Sequence, residues 1–373
     1  MGQAASPGAA PLDIGYIEWA KRKQEAIALI RLECDYGEGA HPRLLQRLTD
    51  TNFDQTPGYG EDVYCEKARS LIRGLCGDET VDVHFLVGGT QTNTAVITAA
   101  LRPWQGVISA VTGHINVHET GAIEAYGHKV LALPSADGTL SAEAIRGLCR
   151  SHWEDVTHEH MVQPAMVYLS CPTENGTLYS RAALTEIRQV CDEFGLLLYI
   201  DGARMGYGLM SEANDLTLPD FTRLCDAFSI GGTKQGFLFG EALVLRSPAL
   251  RRDFRSLIKQ QGGLLAKGRL LGVQFCAMLE DGLYFELARH ADRLAMKLRR
   301  AFEERGYPML FDSHTKQQYP ILPDGVLKKL EEDFAFSFWC KTDETHSAVR
   351  VCTCWATTEA AADALIRALD RIS

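Results

Sequence analysis

Short apolar runs alternate with helical patterns between residues 83 and 246 of the chain. Most of these runs are continuously apolar, which is typical of strands that are covered on both faces. We predict strands at Val83–Val87, Val107–Val111, Lys129–Leu133, Ala165–Ser170, Leu196–Ile200, Asp226–Ile230 and Ala242–Arg246. Helices are predicted between them, for example at Asn93–Leu101, Ala142–Cys149 and Arg181–Phe194. This alternation favours a doubly wound α/β domain with a mainly parallel, seven-stranded sheet.

The pattern changes after residue 250, where longer helical stretches begin. We predict helices at Gln274–Leu279, Tyr284–Arg305 and Glu359–Ile372, and strands at Phe334–Cys340 and Ala348–Cys354. The chain is therefore divided into a tail and arm (1–60), a large domain (61–250) and a smaller α+β C-terminal domain (251–373). A helix at Tyr16–Leu29 in the arm is expected to pack on the small domain or on a partner subunit.

Composition narrows the possible classes of protein. The 373 residues carry a formal charge of −10, which argues against general nucleic-acid binding because phosphate contacts need clustered Lys and Arg. No run approaches 18 apolar residues, so no transmembrane helix is expected. The eleven cysteines are scattered through apolar segments, which suits a reducing cytoplasm better than a disulfide framework. Cys352 and Cys354 form a close pair without a second pair at zinc spacing, so a strand is favoured over a metal site.

A lysine stands among glycines and small polar residues in SIGGTKQG (229–236). A surface lysine needs no such surroundings, whereas Lys234 in an imine with a flat cofactor needs the backbone to come close to the ring. Asp201 lies 33 residues earlier, at the end of another predicted strand. By itself an Asp-Gly pair more often caps a turn. The spacing, however, allows one helix and a return to the adjacent strand, so both side chains would point into one cleft.

The chemistry of such a pair is specific. An aspartate beside a pyridine nitrogen keeps that nitrogen protonated, so the ring can accept the electron pair of a carbanion at the substrate's α-carbon. A lysine holds the cofactor's aldehyde as an imine and serves as a base once the substrate amine has displaced it.

Two further segments carry polar groups that suit a binding site. VGGTQTN (87–93) follows the first strand and opens a helix, whose free N–H groups favour a phosphate, although a Gly-Gly turn can also be purely structural. It lacks both nucleotide-loop patterns. His114 and His118 stand four residues apart in GHINVHETGAIEA (113–125). With Glu119 they allow a metal site, but no further ligand has supporting spacing, and a capped, solvated helix start is the alternative.

The sequence resembles the threonine aldolase branch of the fold-type-I pyridoxal-phosphate enzymes from about Cys34 to Ala356. The matching stretches are CDYGEGAHP (34–42), YGED (59–62), GGTQTN (88–93), GHINVHETGA (113–122), PTENGTLYS (172–180), DGARMG (201–206), GGTKQG (231–236) and VRVCTCWAT (349–357). Their order and spacing together are specific. The resemblance implies the fold-type-I architecture and pyridoxal 5′-phosphate as cofactor.

Carried over by position, the resemblance implies a set of cofactor contacts. These are Lys234 as the imine lysine, Asp201 at the pyridine nitrogen, His114 on the ring face, Arg204 beside the cofactor, and Gly89, Thr90 and Gln91 at the phosphate. The stretch QQGGLLAKGR (260–269) resembles the family segment that reaches a neighbour's phosphate, with Lys267 or Arg269 as the cation. Two cations beside glycines can equally form a solvated loop.

The resemblance also implies substrate contacts. Arg204 and Arg350 would hold the substrate carboxylate, a task that suits a planar guanidinium. Cys34 and Asp35 would lie at the substrate, and many family members have Ser where Cys34 stands. The family's second catalytic histidine, which contacts the β-hydroxyl, matches His160 only approximately. His118 is either a substrate contact or a residue of the helix surface.

The function implied is that of a carbon–carbon lyase. It would cleave a β-hydroxy-α-amino acid into glycine and an aldehyde, or run the condensation in reverse. A β-eliminating lyase or an aminotransferase on the same fold is the alternative, because a fold does not fix a reaction. A cofactor-free binding protein is a third possibility, against which the presence of both Asp201 and Lys234 argues. The expected partners are a small amino acid, an aldehyde and further copies of the chain, in a homodimer or homotetramer with shared sites.

Overall fold

The chain folds into alternating strands and helices in the computed structural model, which describes residues 29–372. The strands are β1 (Ile30–Arg31), β2 (Asp82–Leu86), β3 (Gln105–Ala110), β4 (Lys129–Leu133), β5 (Gln163–Ser170), β6 (Leu197–Asp201), β7 (Ala227–Gly231), β8 (Glu241–Leu245), β9 (Gln317–Gln318), β10 (Ile321–Pro323), β11 (Phe334–Ala335), β12 (Ser337–Lys341) and β13 (His346–Cys352).

The helices are α1 (Pro42–Asp50), α2 (Val63–Cys76), α3 (Gly89–Ala100), α4 (His114–Val117), α5 (Ala122–Ala125), α6 (Ala142–Glu154), α7 (Arg181–Phe194), α8 (Met205–Met210), α9 (Leu218–Leu224), α10 (Pro248–Arg251), α11 (Phe254–Gln260), α12 (Arg269–Leu279), α13 (Leu283–Glu304), α14 (Asp324–Leu330) and α15 (Glu359–Ile372). A 3₁₀ turn lies at His158–His160.

The large sheet has the strand order β2-β8-β7-β6-β5-β3-β4. β8 runs antiparallel to both of its neighbours, and the remaining pairs are parallel. The prediction of a mainly parallel, seven-stranded sheet is therefore confirmed. Each predicted strand overlaps its observed counterpart, and α7 has the predicted bounds. It ends at Gly195, whose φ of +66° gives the left-handed cap that glycine favours.

Two apolar cores cover the faces of this sheet. Val167 and Leu198 face one core, whereas Met166 and Tyr199 face the other, because successive strand residues point to opposite faces. Continuously apolar strands are the result, as the sequence predicted. Helices α11 and α12, which follow residue 250, also contribute side chains to these cores. The division of the chain into segments 1–60, 61–250 and 251–373 stays a prediction.

A smaller α+β unit follows, in which β10, β13 and β12 form a sheet and β9 pairs with β13. Its core contains Leu298, Phe302, Val349, Val351 and Leu365. The strands β9 and β10 and the helix α14 were not predicted, because two- or three-residue strands carry no recognisable period. Within the described residues, no helix is both long and apolar enough to cross a membrane. Of the predicted helix Tyr16–Leu29, only Leu29 is described.

The topology gathers several chain segments at one edge of the large sheet. β5, β6 and β7 are parallel, so the loops after Ser170, Asp201 and Gly231 meet there. β2 has the same direction and brings the loop before α3 to this edge, while the antiparallel β8 begins there with Glu241. Open α/β sheets bind their ligands at this edge.

Candidate active site

A cavity of about 280 Å³ opens at the edge where these loops meet. Lys234 enters it from the loop between β7 and β8, and Asp201 from the end of the adjacent β6. The two loops are tied together by the Gly231 N–H, which donates to the Gly202 carbonyl at 2.9 Å. The cleft predicted from the spacing of Asp201 and Lys234 is therefore present.

Glycines make the close approach around Lys234 possible. A Cβ atom on Gly231 would lie 2.3 Å from the Ala203 carbonyl oxygen, and any larger side chain would force the two loops apart. The Tyr207 hydroxyl donates to the Lys234 carbonyl at 2.6 Å and fixes the backbone there. Burial lowers the pKa of Lys234, and the charge of Arg204 lowers it further. A larger share of neutral amine follows, which is the form that attacks an aldehyde.

Three hydrogen bonds hold the carboxylate of Asp201. Its Oδ2 accepts from the Tyr168 hydroxyl at 2.7 Å and from Asn93 Nδ2 at 3.0 Å, and its Oδ1 accepts from the Ala203 N–H at 2.9 Å. Burial alone would raise the pKa of Asp201, but His114 and these hydrogen bonds hold it below its usual value. The carboxylate therefore stays charged, as a partner of a protonated ring nitrogen must be.

His114 begins α4 and lines the same cavity. Its Nδ1 lies 2.7 Å from Glu119 Oε1, which also accepts from Asn93 Nδ2 at 2.7 Å. The imidazole is thus connected through Glu119 and Asn93 to Asp201. The ring of His118 lies 5.5 Å from that of His114, and His118 lines a neighbouring cavity rather than this one.

The loop before α3 also borders the cavity, where Gly88, Gly89 and Thr90 contribute to the wall. The first N–H groups of a helix have no partner within it, and this end of a helix favours an anion. Gln91 does not line the cavity: its side chain accepts from the Val87 N–H and donates to the Gln261 carbonyl, both at 3.3 Å. Of the three predicted phosphate contacts, the structure brings Gly89 and Thr90 to the cavity.

A second cavity of about 300 Å³ shares wall residues such as Lys234 with the first and is lined in addition by His118, Trp339 and Arg350. Arg350 donates from NH2 to the Glu33 carbonyl at 2.8 Å and to Ser337 Oγ at 3.3 Å. Its buried Nε has no partner within residues 29–372. Arg350 lines the cavity and forms no ion pair with a described carboxylate, so its guanidinium is suited to an incoming one.

The two arginines that were predicted to bind the substrate carboxylate differ in whether they already form an ion pair. Arg204 lines both cavities, but its Nε and NH2 already donate to the two oxygens of Asp35, at 2.7 and 3.3 Å. Asp35 also forms an ion pair with Lys316, whose side chain is fully buried. Asp35 and Cys34 line neither cavity. Asp35 instead binds Arg204, which lines both, and Cys34 is not part of the cavity wall.

Other predicted residues are not brought to these cavities. His160 is exposed in the 3₁₀ turn that precedes β5, at the end of that strand opposite to Ser170 and the cavity. Lys267 lines a separate groove with Thr51 and Asp54. Arg269 donates to the carbonyls of the same two residues, at 2.5 and 2.8 Å. His160 therefore lines neither of the two cavities.

Sequence reasoning missed two carboxylates, Glu174 and Glu241, that line the first cavity. Burial raises the pKa of Glu241 to about 8, although the charge of Lys234 opposes this shift. A glutamate that opens the apolar strand β8, seven residues after Lys234, is the signal that could have revealed it. Glu174 stands in PTENGTLYS, a stretch that carried the resemblance but was assigned no role.

The arrangement fits a flat cofactor with three functional groups. The N-terminus of α3 suits a phosphate, Asp201 suits a protonated ring nitrogen, and Lys234 suits an aldehyde. The Nζ of Lys234 makes no hydrogen bond or ion pair with any described residue, so it is available for such a bond. Within residues 29–372, no cluster of His, Cys, Asp or Glu is arranged to hold a metal ion.

Comparison with known proteins shows what this chain is similar to. The model of the beta-eliminating lyase family matches residues 43–322. The low specificity L-threonine aldolase of Pseudomonas aeruginosa is 29% identical over 301 residues, which cover 80% of this chain and 83% of that protein. The enzyme of the same name from Saccharomyces cerevisiae is 26% identical over 73% of this chain and 70% of its own length.

Solved structures also include a threonine aldolase that is similar to this chain. The threonine aldolase of Leishmania major superimposes with a TM-score of 0.89 and 42% identity, over 92% of this chain and 99% of that one. A Thermus thermophilus aspartate aminotransferase variant shares the fold alone, with a TM-score of 0.66 and 13% identity over 99% of this chain and 98% of its own. The resemblance seen in the sequence is confirmed: the chain belongs to the beta-eliminating lyase family, on its threonine aldolase branch.

Proposed function

We propose that the protein cleaves a β-hydroxy-α-amino acid into glycine and an aldehyde with pyridoxal 5′-phosphate as cofactor, and forms the same bond in reverse. One observation carries the proposal. A cavity with Lys234, Asp201 and the start of α3 adjoins a second cavity that ends at Arg350. The first has the groups that such a cofactor needs, and the second has room and charge for an amino acid.

The residues of the first cavity would hold the cofactor. Bound there, pyridoxal 5′-phosphate supplies an aldehyde for Lys234 and a ring that takes up the electron pair of the cleaved bond. Asp201 would keep a proton on the ring nitrogen, and the N–H groups at the start of α3 would hold the phosphate. His114, whose Nδ1 lies against Glu119, would cover one face of the ring.

Arg350 would receive the substrate carboxylate. Of the two candidate arginines, Arg350 forms no ion pair with a described residue, whereas Arg204 is engaged by Asp35. Arg204, which is held by Asp35, would not bind the carboxylate. It would instead place its positive charge beside Lys234 and the cofactor. The aldehyde portion of the substrate would lie towards Tyr36 and Trp339 in the second cavity.

We expect Arg350→Ala to lower kcat/KM for threonine roughly 100-fold while the bound cofactor's absorbance is kept. Losing a charged contact to a carboxylate costs about 3 kcal/mol, and the residues that hold the cofactor are untouched. Steady-state kinetics and an absorbance spectrum check this. The exposed Arg252→Ala serves as a control and should keep wild-type kinetics. Normal amino-acid binding together with a melting temperature several degrees lower would identify Arg350 as a structural ion-pair residue instead.

The nearest rival functions are β-elimination and transamination on the same fold. Incubation of the purified protein with threonine, allo-threonine and phenylserine, followed by product identification, distinguishes them. Glycine and an aldehyde support the proposal, whereas a keto acid would support a rival. A cofactor-free binding protein would show no absorbance from a lysine-bound cofactor after incubation with pyridoxal 5′-phosphate.

We further propose that active sites are shared between copies of the chain in a homodimer or homotetramer. Lys267 supports this, because it lies outside the cavities of its own chain in a separate groove. In an assembly it would reach the phosphate bound by a neighbour. The eleven cysteines are all unpaired, which supports a reducing, cytoplasmic location.

Lys267→Ala should weaken cofactor binding about tenfold, as loss of one charged hydrogen bond would. Titration of the apoprotein with pyridoxal 5′-phosphate measures this, and the exposed Lys329→Ala is the matched control. Mixing Lys267→Ala with inactive Lys234→Ala subunits should raise activity, because one site of each mixed dimer would carry neither change. A fully active monomer at micromolar concentration would rule out a shared site.

A further inference from the structure

Glu174 lies where the two cavities meet and contributes to the wall of both. It follows β5 in the loop that carries the stretch PTENGTLYS, on the same sheet edge as Lys234. The side chain is nearly buried, with 9% of the residue exposed. A charged carboxylate in this place needs hydrogen-bond donors or an oppositely charged group, because burying a charge without them is costly.

Hydrogen bonds from neighbouring residues hold only one of the two carboxylate oxygens of Glu174. Its Oε1 accepts from Ser170 Oγ at 2.6 Å and from the His114 N–H at 2.9 Å. Its carbonyl accepts from the Tyr319 hydroxyl at 2.5 Å, so the backbone is held as well. Its Oε2 accepts from no other residue of the described chain. The side chain is thus oriented by fixed donors while one oxygen stays available.

Cleavage of a β-hydroxy amino acid requires a group that removes the hydroxyl proton. In the second cavity the arginines cannot serve, and Lys234 belongs to the cofactor. Four side chains that can exchange a proton remain, which are Tyr36, His114, His118 and Glu174. Tyr36 is 59% exposed, His118 lines the second cavity only, and His114 is engaged by Glu119 through its Nδ1 and is assigned to the face of the cofactor ring. Glu174 alone of the four is a carboxylate that lines both cavities, is oriented by fixed donors and keeps one oxygen without a partner among the described residues.

We propose that Glu174 takes the proton of the substrate's β-hydroxyl in cleavage and returns it in condensation. This inference rests on the proposed function. The O–H bond breaks and its proton moves to the Glu174 carboxylate. The electron pair of that bond forms the aldehyde C=O, the Cα–Cβ bond breaks, and its pair remains on the α-carbon, where the cofactor stabilises it. Ser170 and His114 are positioning residues for Glu174.

The electrostatic surroundings suit this role. Burial raises the pKa of Glu174 above its usual value, against the lowering effect of the Ser170 hydroxyl, and the charge of Asp201 raises it as well. A carboxylate whose pKa is closer to the working pH is better able both to take and to return a proton. Removal of the hydroxyl proton needs the ionised form, so kcat/KM should rise with pH as Glu174 loses its proton.

The test is Glu174→Gln, which keeps an oxygen for Ser170 and the His114 N–H but cannot take the proton. Cleavage of threonine should fall about 100-fold, within the range for loss of a general base. Exchange of glycine's α-proton with D₂O, followed by proton NMR, should stay within about threefold of wild type. Glycine has no hydroxyl, so this exchange does not need Glu174. The rise of kcat/KM with pH should also be lost, and the exposed Glu159→Gln should change neither reaction.

Three results would overturn the inference. Wild-type cleavage by Glu174→Gln would show that another group takes the proton. An equal loss of cleavage and glycine exchange would make Glu174 a structural support of His114. A selective loss of cleavage in His118→Gln but not in Glu174→Gln would assign the proton to His118. If the wild-type protein exchanges the α-proton of glycine but cleaves no hydroxy amino acid, the proposed function itself fails.

Discussion

Lys234→Ala is expected to abolish the covalent bond between protein and cofactor and to lower turnover on the order of 10⁴-fold or more, as loss of a nucleophile does elsewhere. Lys234 is the lysine that lines the first cavity, and its amine makes no hydrogen bond or ion pair with another described residue. Burial and Arg204 lower its pKa, so a reactive neutral amine is accessible.

Borohydride reduction followed by intact mass spectrometry measures this bond. The wild-type protein should gain the mass of the reduced cofactor at Lys234, and Lys234→Ala should gain none. Lys129→Ala, which removes an exposed lysine from the same sheet, should be labelled like the wild type. Stable labelling of Lys234→Ala at another position would show that Lys234 is not the anchor.

Asp201→Ala is expected to lower kcat about 10³-fold, within the range for loss of a positioned proton-holding group. Without the carboxylate the ring nitrogen would be left largely unprotonated, and the electron sink would be lost. The effect on folding should be smaller, because the neighbours of Asp201 remain linked to each other: the Tyr199 hydroxyl donates to Asn93 Oδ1 at 2.8 Å, and Asn93 Nδ2 donates to Glu119.

Steady-state kinetics and thermal unfolding of the same preparation separate the two effects. Asp201→Asn is the matched variant, since it keeps the shape of the side chain and an acceptor for the Ala203 N–H. It should lose activity to a similar extent while unfolding near the wild-type temperature. Wild-type turnover in Asp201→Ala would contradict the assignment of Asp201 to the ring nitrogen.

The sequence predicted the large sheet well because its strands are buried on both faces. Covering both faces requires continuously apolar runs, and these are visible without knowledge of the fold. The meeting of Asp201 and Lys234 was also predictable, since the ends of adjacent parallel strands lie at one edge. The glycines around Lys234 were a local signal of close backbone approach, which the contact between Gly231 and Ala203 explains.

The parts that sequence reasoning missed depend on contacts between distant segments. Asp35 and Lys316 are 281 residues apart, and no local pattern indicates that they form a buried ion pair. This pair, with Arg204, explains why the two predicted carboxylate-binding arginines are not equivalent. Neither arginine reveals its partner in the sequence, and only the fold shows that Arg204 forms an ion pair with Asp35 while Arg350 forms none with a described residue.

Candidate acid–base groups were the least predictable part of the site. His160 was selected by an approximate match along the sequence, but the fold puts it at the opposite end of β5. Glu174 carries no local mark of function, because a glutamate in a polar loop is usually exposed. It becomes a candidate only because the fold places it, nearly buried, in the wall of both cavities.

The most direct test of the central claim is the stoichiometry of products from L-threonine and the purified protein loaded with pyridoxal 5′-phosphate. We predict that glycine and acetaldehyde appear in equal amounts, and that Lys234→Ala forms neither. Formation of 2-oxobutanoate and ammonia without glycine would contradict carbon–carbon cleavage and would identify the protein as an eliminating enzyme of the same family.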